Sequence, residues 1–354
     1  MTSSPFPIPI PVCCPTVSDE DVMAVSSVMR SGWLSTGMIV KQFEEELCKI
    51  TGYPHCVALS SCTSALFLAL KAYHIGKEDD VVGVPALTFT ATAAAVAHTG
   101  ARVKFLDVDP DTWMLNKSDR SLDMTISVDL YGQLSEAVDE GADVLEDAAH
   151  AIGADFAGRA ETICLSFYAT KNITTMGEGG ALLTRCKDVA EKVRCMSLHG
   201  LGEGAWARYA TARAPVVKML GYKANMTDAQ AAMGIVQLTH LKEWKNRREY
   251  IAARYDDELG LPTPPRFTDG ITHLYPVLLP EDRGRDDFRA DLQKAGVGTG
   301  IHYRSLTDEP YWKTFGYFCP VAEYIGRNTV SLPLYPSLTN AQQDYIIKVV
   351  KDNL

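Results

Sequence analysis

From residue 56 to about residue 200, short apolar runs alternate with helical stretches. The runs Cys56–Leu59, Val81–Val84, Arg102–Asp107, Ser127–Leu130, Asp143–Leu145, Cys164–Tyr168 and Ala181–Thr184 have the length and apolar character of strands. Between them, alanine-rich or wholly apolar segments such as Ser64–Tyr73 and Thr90–His98 read as helices. This alternation predicts an α/β fold with a largely parallel sheet. Upstream lies an arm, then a helix over Asp19–Arg30 that ends at Ser31-Gly32, and a second over Val40–Ile50 after Gly37.

A capping box, Thr227 to Gln230, opens a long helix whose apolar positions recur at Ile235, Leu238, Leu241 and Trp244, with Tyr250, Ile251 and Tyr255 beyond. After it the pattern changes to strand, helix, strand over Thr272–Leu279, Asp287–Ala295 and Val297–His302. A last helix is expected over Thr339–Lys351. We therefore expect two domains: residues 1–235, the arm and a large domain, and residues 236–354, a smaller α+β domain.

Composition narrows the function. With 354 residues, 46% of them hydrophobic, the chain can bury a large core. A net charge of −10 and the lack of any Lys/Arg block argue against nucleic acid as a partner. Nine cysteines are scattered without a CxxC, so no metal site is expected and reduced thiols are the plain reading. Met1–Val12 is apolar but carries Pro5, Pro7, Pro9 and Pro11 and no basic segment, which excludes a helical signal core. No later run approaches a membrane span, so a soluble, cytoplasmic protein is expected, with no membrane partner.

Four segments could carry chemistry. An apolar strand runs into Glu146-Asp147 and then Ala148-Ala149-His150, at the carboxyl end where ligands bind in parallel sheets. Asp147 there could hold a metal, a ribose or a ring nitrogen, or simply cap a helix starting at Ala148. A second strand delivers Ser166 and then Lys171, followed by the glycine-rich turn Gly177–Gly180. A lysine so placed is a candidate for imine chemistry if burial lowers its amine pKa, and otherwise a solvated strand end. Ser61, Cys62, Thr63 and Ser64 sit between a strand and a helix, where free N–H groups can cradle a phosphate or where serines merely cap. Phe89 ends a strand and could stack on a flat ring or belong to the core. Together these supply what a pyridine cofactor with an aldehyde and a phosphate requires: an imine lysine, an acid for the ring nitrogen, a phosphate cradle and a stacking aromatic. Asp147 and Lys171 are 24 positions apart.

At these residues the chain resembles the DegT/DnrJ/EryC1/StrS family of aminotransferases, of fold type I. The matching segments run over nearly the whole chain: Gly32–Gly37 with Phe43-Glu44, Ser61–Leu66, Pro85–Phe89, Glu146–His150, Ser166–Lys171, Gly177–Gly180, Leu198–Gly200, Gly221–Asp228, Gln230–Ala232, Ile301–Tyr303 and Ser331–Pro333. The resemblance implies a large domain that binds pyridoxal 5'-phosphate, held as a Schiff base by Lys171, which also moves the proton. It implies that Asp147 pairs the pyridine nitrogen, that His150 lies beside the ring, and that Ser166 joins Cys62 and Thr63 at the phosphate. Asn225 resembles a residue that reaches the phosphate from the neighbouring subunit, which implies a homodimer with shared active sites. Ser35, Thr36, His302 and Tyr303 are candidate substrate contacts, the last two equally open to a structural role. Cys62 stands where the family usually has glycine, and Ala224 where it often has tyrosine. Lysine at 171, where sugar-dehydrating relatives carry histidine, favours amino transfer.

The expected reaction moves an amino group from glutamate to a keto sugar, with a nucleotide-linked keto-deoxyhexose as the leading acceptor. A cyclitol or other non-nucleotide ketone is the alternative acceptor. A regulatory homologue without turnover is the alternative of another class.

Overall fold

The computed structural model describes residues 6, 9–138, 143–202 and 214–354; Pro5 and Pro7 of the arm lie outside the described residues. Seven strands form the main sheet: β1 His55–Leu59, β2 Val81–Pro85, β3 Arg102–Leu106, β4 Met124–Val128, β5 Val144–Asp147, β6 Thr162–Ser166 and β7 Gly180–Thr184. Their order is β3-β2-β4-β5-β6-β7-β1, and only β7 runs antiparallel, to both of its neighbours. β4, β6 and β7 are buried at every position, as strands covered on both faces must be.

Side chains alternate between two cores with the period of a strand. Val57 and Leu59 of β1 face the core built on the helices α3 (Cys62–Ala72), α4 (Thr90–Thr99) and α5 (Lys187–Met196). Cys56 and Ala58 face the opposite core, with α2 (Met38–Thr51) and the first half of α6 (Asp228–Leu259). The preceding helix, α1 (Asp19–Ser31), packs along α6. Glu44 of α2 fixes this layer: its carboxylate accepts from the Ala58 N–H at 2.8 Å and from both terminal nitrogens of Arg194 at 2.9 Å.

A third core surrounds a two-stranded antiparallel sheet, β8 (Tyr275–Leu278) and β9 (Thr329–Leu332), with α7 (Arg285–Lys294) and α10 (Asn340–Asp352). Short helices α8 (Pro310–Lys313) and α9 (Pro320–Asn328) lie between. α6 serves two cores, with Leu238, Leu241 and Trp244 in one and Ile251, Ala252 and Tyr255 in the next. The division expected at 235–236 falls inside this helix. Among the described residues no helix is long and apolar enough to cross a membrane.

Several element limits differ from expectation. The strand expected over Ser127–Leu130 is Met124–Val128, because Leu130–Gly132 turns in a 3-10 helix with Tyr131 at positive φ. The strand expected over Val297–His302 is absent; Val297 makes a single bridge to Ile10 of the arm and Gly300 one to Ser331. Ser331 belongs instead to β9, which pairs with β8. A short edge shared between the arm and β9 leaves residues 297–302 no continuous ladder to join.

Candidate active site

The register of the sheet gathers the chemistry at one edge. Asp147 ends β5 opposite Val128 and Cys164. Ser166 ends β6 opposite Gly180, and Leu59 ends β1 opposite the same glycine. Because β7 is antiparallel, its first residue lies at the carboxyl ends of its neighbours. A Cβ at Gly180 would stand 2.3 Å from the Cys62 nitrogen, so only glycine lets β7 start beneath the first turn of α3.

A cavity of about 560 Å³ opens there and brings together Cys62, Phe89, Asp147, His150, Ser166 and Lys171, with His302 and Tyr303 also in its wall. The Lys171 amine is lowered to about 8 by burial, which the facing Asp147 carboxylate only partly offsets. Lysine chemistry at neutral pH needs this shift, and a solvated strand end would not have it. Asp147 is buried, and burial pushes its carboxyl above the ordinary value. Three donors oppose that: the Thr92 hydroxyl at 2.8 Å, the Ala149 N–H at 3.2 Å and the Cys62 thiol at 3.7 Å. Residues 148–154 form turns, so the alternative of Asp147 as a helix cap does not hold.

His150 is buried, and burial holds its imidazole well below the ordinary value, so it is neutral. Its Nδ1 accepts the Tyr131 N–H at 3.2 Å, which leaves the proton on Nε2 to donate to the Tyr303 hydroxyl at 3.1 Å. The ring packs on His273 at 4.4 Å between centroids, and His273 Nδ1 meets the Asn172 side-chain oxygen at 2.9 Å. Phe89 is 55% exposed and lines the cavity, which removes the core reading; its ring lies 5.6 Å from that of Tyr303. Ser61 is the N-cap of α3 and accepts from the Ser64 N–H at 3.1 Å. The N–H groups of Cys62 and Thr63 in the first turn therefore have no intrahelical acceptor, and groups of that kind can bind an anion.

Three expected residues stand apart. Thr36 and Asn225 line a separate cavity of about 610 Å³, where the Asn225 amide donates to the Thr36 hydroxyl at 2.6 Å. Ser35 is beside them, its carbonyl accepting the Asp228 N–H at 3.3 Å. Other contributors had no sequence signal that isolates them. Tyr131 orients His150 through its backbone and donates its hydroxyl to the His302 carbonyl at 2.7 Å. Thr92 lies one helical turn beyond Thr88, a spacing that could have drawn attention to a hydroxyl pair.

The donor set fits a flat pyridine carrying an aldehyde and a phosphate. The open first turn of α3 suits the phosphate, a half-exposed aromatic suits a ring face, and a buried acid and a depressed lysine lie in the same cavity.

Comparison with known proteins agrees. The model of the DegT/DnrJ/EryC1/StrS aminotransferase family matches residues 15–351. The spore coat polysaccharide biosynthesis protein SpsC of Bacillus subtilis is 39% identical, over 97% of this chain and 96% of its own. A Streptococcus pneumoniae protein described as a sugar aminotransferase, solved in its PLP form, superposes with a TM-score of 0.87 at 28% identity, covering 98% of this chain and 100% of its own. PseC of Helicobacter pylori, an aminotransferase of pseudoaminic acid biosynthesis, gives a TM-score of 0.88 at 25% identity over 98% and 99% of the two chains. The fold is that of these pyridoxal-phosphate enzymes, fold type I, as the resemblance implied. The chain belongs to the DegT/DnrJ/EryC1/StrS aminotransferase family and is a PLP-dependent aminotransferase.

Proposed function

We propose that this enzyme transfers an amino group from glutamate to a keto sugar, a nucleotide-linked keto-deoxyhexose, within a homodimer whose active sites are shared. The observation that carries the reading is Lys171: a largely desolvated amine with a free-base form available near neutral pH, in one cavity with Asp147 and Cys62, the first residue of α3. Bound pyridoxal phosphate supplies an electron sink that makes the proton beside the transferred nitrogen removable. In this reading Lys171 would hold the cofactor's aldehyde, and its free-base amine would take up and return the proton that amino transfer requires. Asp147 keeps the ring nitrogen protonated. Phe89 covers one ring face, and His150 stands beside the ring as a neutral donor chain ending on Tyr303. The Cys62 and Thr63 N–H groups and the Ser166 hydroxyl take the phosphate. His302 and Tyr303 bound the acceptor's side of the cavity.

Asn225, Ser35 and Thr36 serve the neighbouring subunit. Leu34 and Met38, which flank Ser35 and Thr36 in the chain, are exposed apolar side chains, as are Val216, Val217 and Leu220, which flank the Lys218 and Met219 of the same cavity; a second copy would cover them. A sugar acceptor is favoured by the relatives, which include a spore coat polysaccharide biosynthesis protein, a sugar aminotransferase and an aminotransferase of pseudoaminic acid biosynthesis.

The test is a panel of nucleotide-linked keto-deoxyhexoses, free keto sugars and keto-cyclitols, each assayed with glutamate for 2-oxoglutarate release. The reading expects sustained turnover with a nucleotide-linked keto sugar. Turnover confined to cyclitols would overturn the acceptor; no turnover with glutamate, in a parallel series where glutamine supports product amination, would overturn the donor.

A further inference from the structure

Asp147 is reached by side-chain donors from two other elements, and this arrangement goes beyond the roles assigned above. Its Oδ2 accepts the Thr92 hydroxyl at 2.8 Å, from the first turn of α4. Its Oδ1 accepts the Ala149 N–H at 3.2 Å and the Cys62 thiol at 3.7 Å, the latter from the first residue of α3. A hydroxyl has one proton, so Thr92, spending its own on the carboxylate, must accept from Thr88 across the 3.0 Å separating their oxygens. Thr88 adjoins Phe89. The hydrogen-bond chain therefore runs from the stacking segment, through Thr92, to the acid and on to the phosphate turn.

Cys62 belongs to both ends of this chain. Its backbone N–H opens toward the phosphate position, while its side chain reaches the carboxylate. All four side chains, Thr88, Thr92, Asp147 and Cys62, are buried, which strengthens these bonds relative to exposed ones.

We propose that Thr92 and Cys62 are positioning residues that clamp the Asp147 carboxylate in its charged form and aim, so that the phosphate turn and the ring-nitrogen acid act as one preorganised unit. The inference rests on the reading of Asp147 as the partner of the ring nitrogen. Each donor lowers the free energy of the carboxylate relative to the acid. Removing one raises the carboxyl's proton affinity, so that it competes with the ring nitrogen for the proton, and frees it to turn out of line with the ring. A thiol is the weaker donor, so its removal should cost less than removal of the hydroxyl.

The test compares reconstituted holoenzymes of wild type, Asp147→Asn, Thr92→Val, Thr92→Ser, Cys62→Ala and Cys62→Ser. Two quantities are read: the cofactor dissociation constant and the pH midpoint of the visible cofactor band. Circular dichroism of each apo-protein establishes folding. Thr92→Val should weaken cofactor binding roughly tenfold. Cys62→Ala should weaken it about threefold. Both should move the band's midpoint to higher pH, because a ring nitrogen that keeps its proton less firmly withdraws less charge from the conjugated imine nitrogen, and both serine variants should return to wild-type values. A purely structural role would not move the midpoint and would not be rescued by serine. If Asp147→Asn changes both quantities while Thr92→Val and Cys62→Ala match wild type, the clamp is overturned and the role of Asp147 stands. If Asp147→Asn itself matches wild type, the role of Asp147 falls first.

Discussion

At the scale of the residue, the decisive quantity is the proton affinity of one amine. Burial disfavours the ammonium form of Lys171, so its amine loses its proton near about 8 where an ordinary lysine would wait for 10.5. The sign for stability follows. A lowered lysine opposes folding below about pH 8, and the penalty fades as pH rises from about 8 to 10.5, where the unfolded chain still holds the proton. For reactivity the free base is the attacking form. The rate at which apo-enzyme captures pyridoxal phosphate should rise with pH through about 8 and then level. Stopped-flow absorbance measures it, and a rate still climbing near 10.5 would contradict the assignment. His150 is shifted in the same sense: burial and the nearby Lys171 charge keep it neutral, so it gives no activity step near its ordinary value, while stability falls as pH drops below 6.5, where the unfolded chain takes up the proton.

At the scale of the element, the site depends on a close crossing. β7 begins under the first turn of α3, and a Cβ at Gly180 would meet backbone atoms of Ser61 and Cys62 at 2.3 Å. Gly180→Ala should force the two apart, costing about 1–3 kcal/mol of stability. The displaced N–H groups should also lower phosphate-end affinity. Denaturant unfolding and cofactor titration measure the two effects, and an unchanged affinity would show that the turn does not hold the phosphate. This crossing also marks the limit of what the sequence conveys. Asp147, Lys171 and Ser166 were legible because each follows an apolar strand, and strand ends of a parallel sheet are where ligands collect. The limits of β4 were not, since Leu130 continues the apolar run while Tyr131 turns out of it at positive φ. Nor was β9, whose pairing with β8 spans 51 positions at Leu278–Thr329 and 57 at Tyr275–Leu332. The Thr88–Thr92 spacing can be read from the chain, but the bond from Thr92 to Asp147 cannot, because only the fold brings the two together.

At the scale of the whole molecule, the separation of Asn225 and Thr36 from the Lys171 cavity has a consequence. If these side chains complete the neighbour's site, inactive Lys171→Ala and impaired Asn225→Ala subunits should complement each other. Mixed dimers would contain one site with both native residues and should regain turnover after subunit exchange. Mixtures no more active than their components would contradict shared sites. The central claim, that Lys171 is the covalent anchor, is tested most directly by reducing the holoenzyme with borohydride and mapping the modified peptide by mass spectrometry. The account predicts the phosphopyridoxyl group on the peptide containing Lys171, with no labelling in Lys171→Ala; stoichiometric labelling of another lysine in the wild-type enzyme would contradict it.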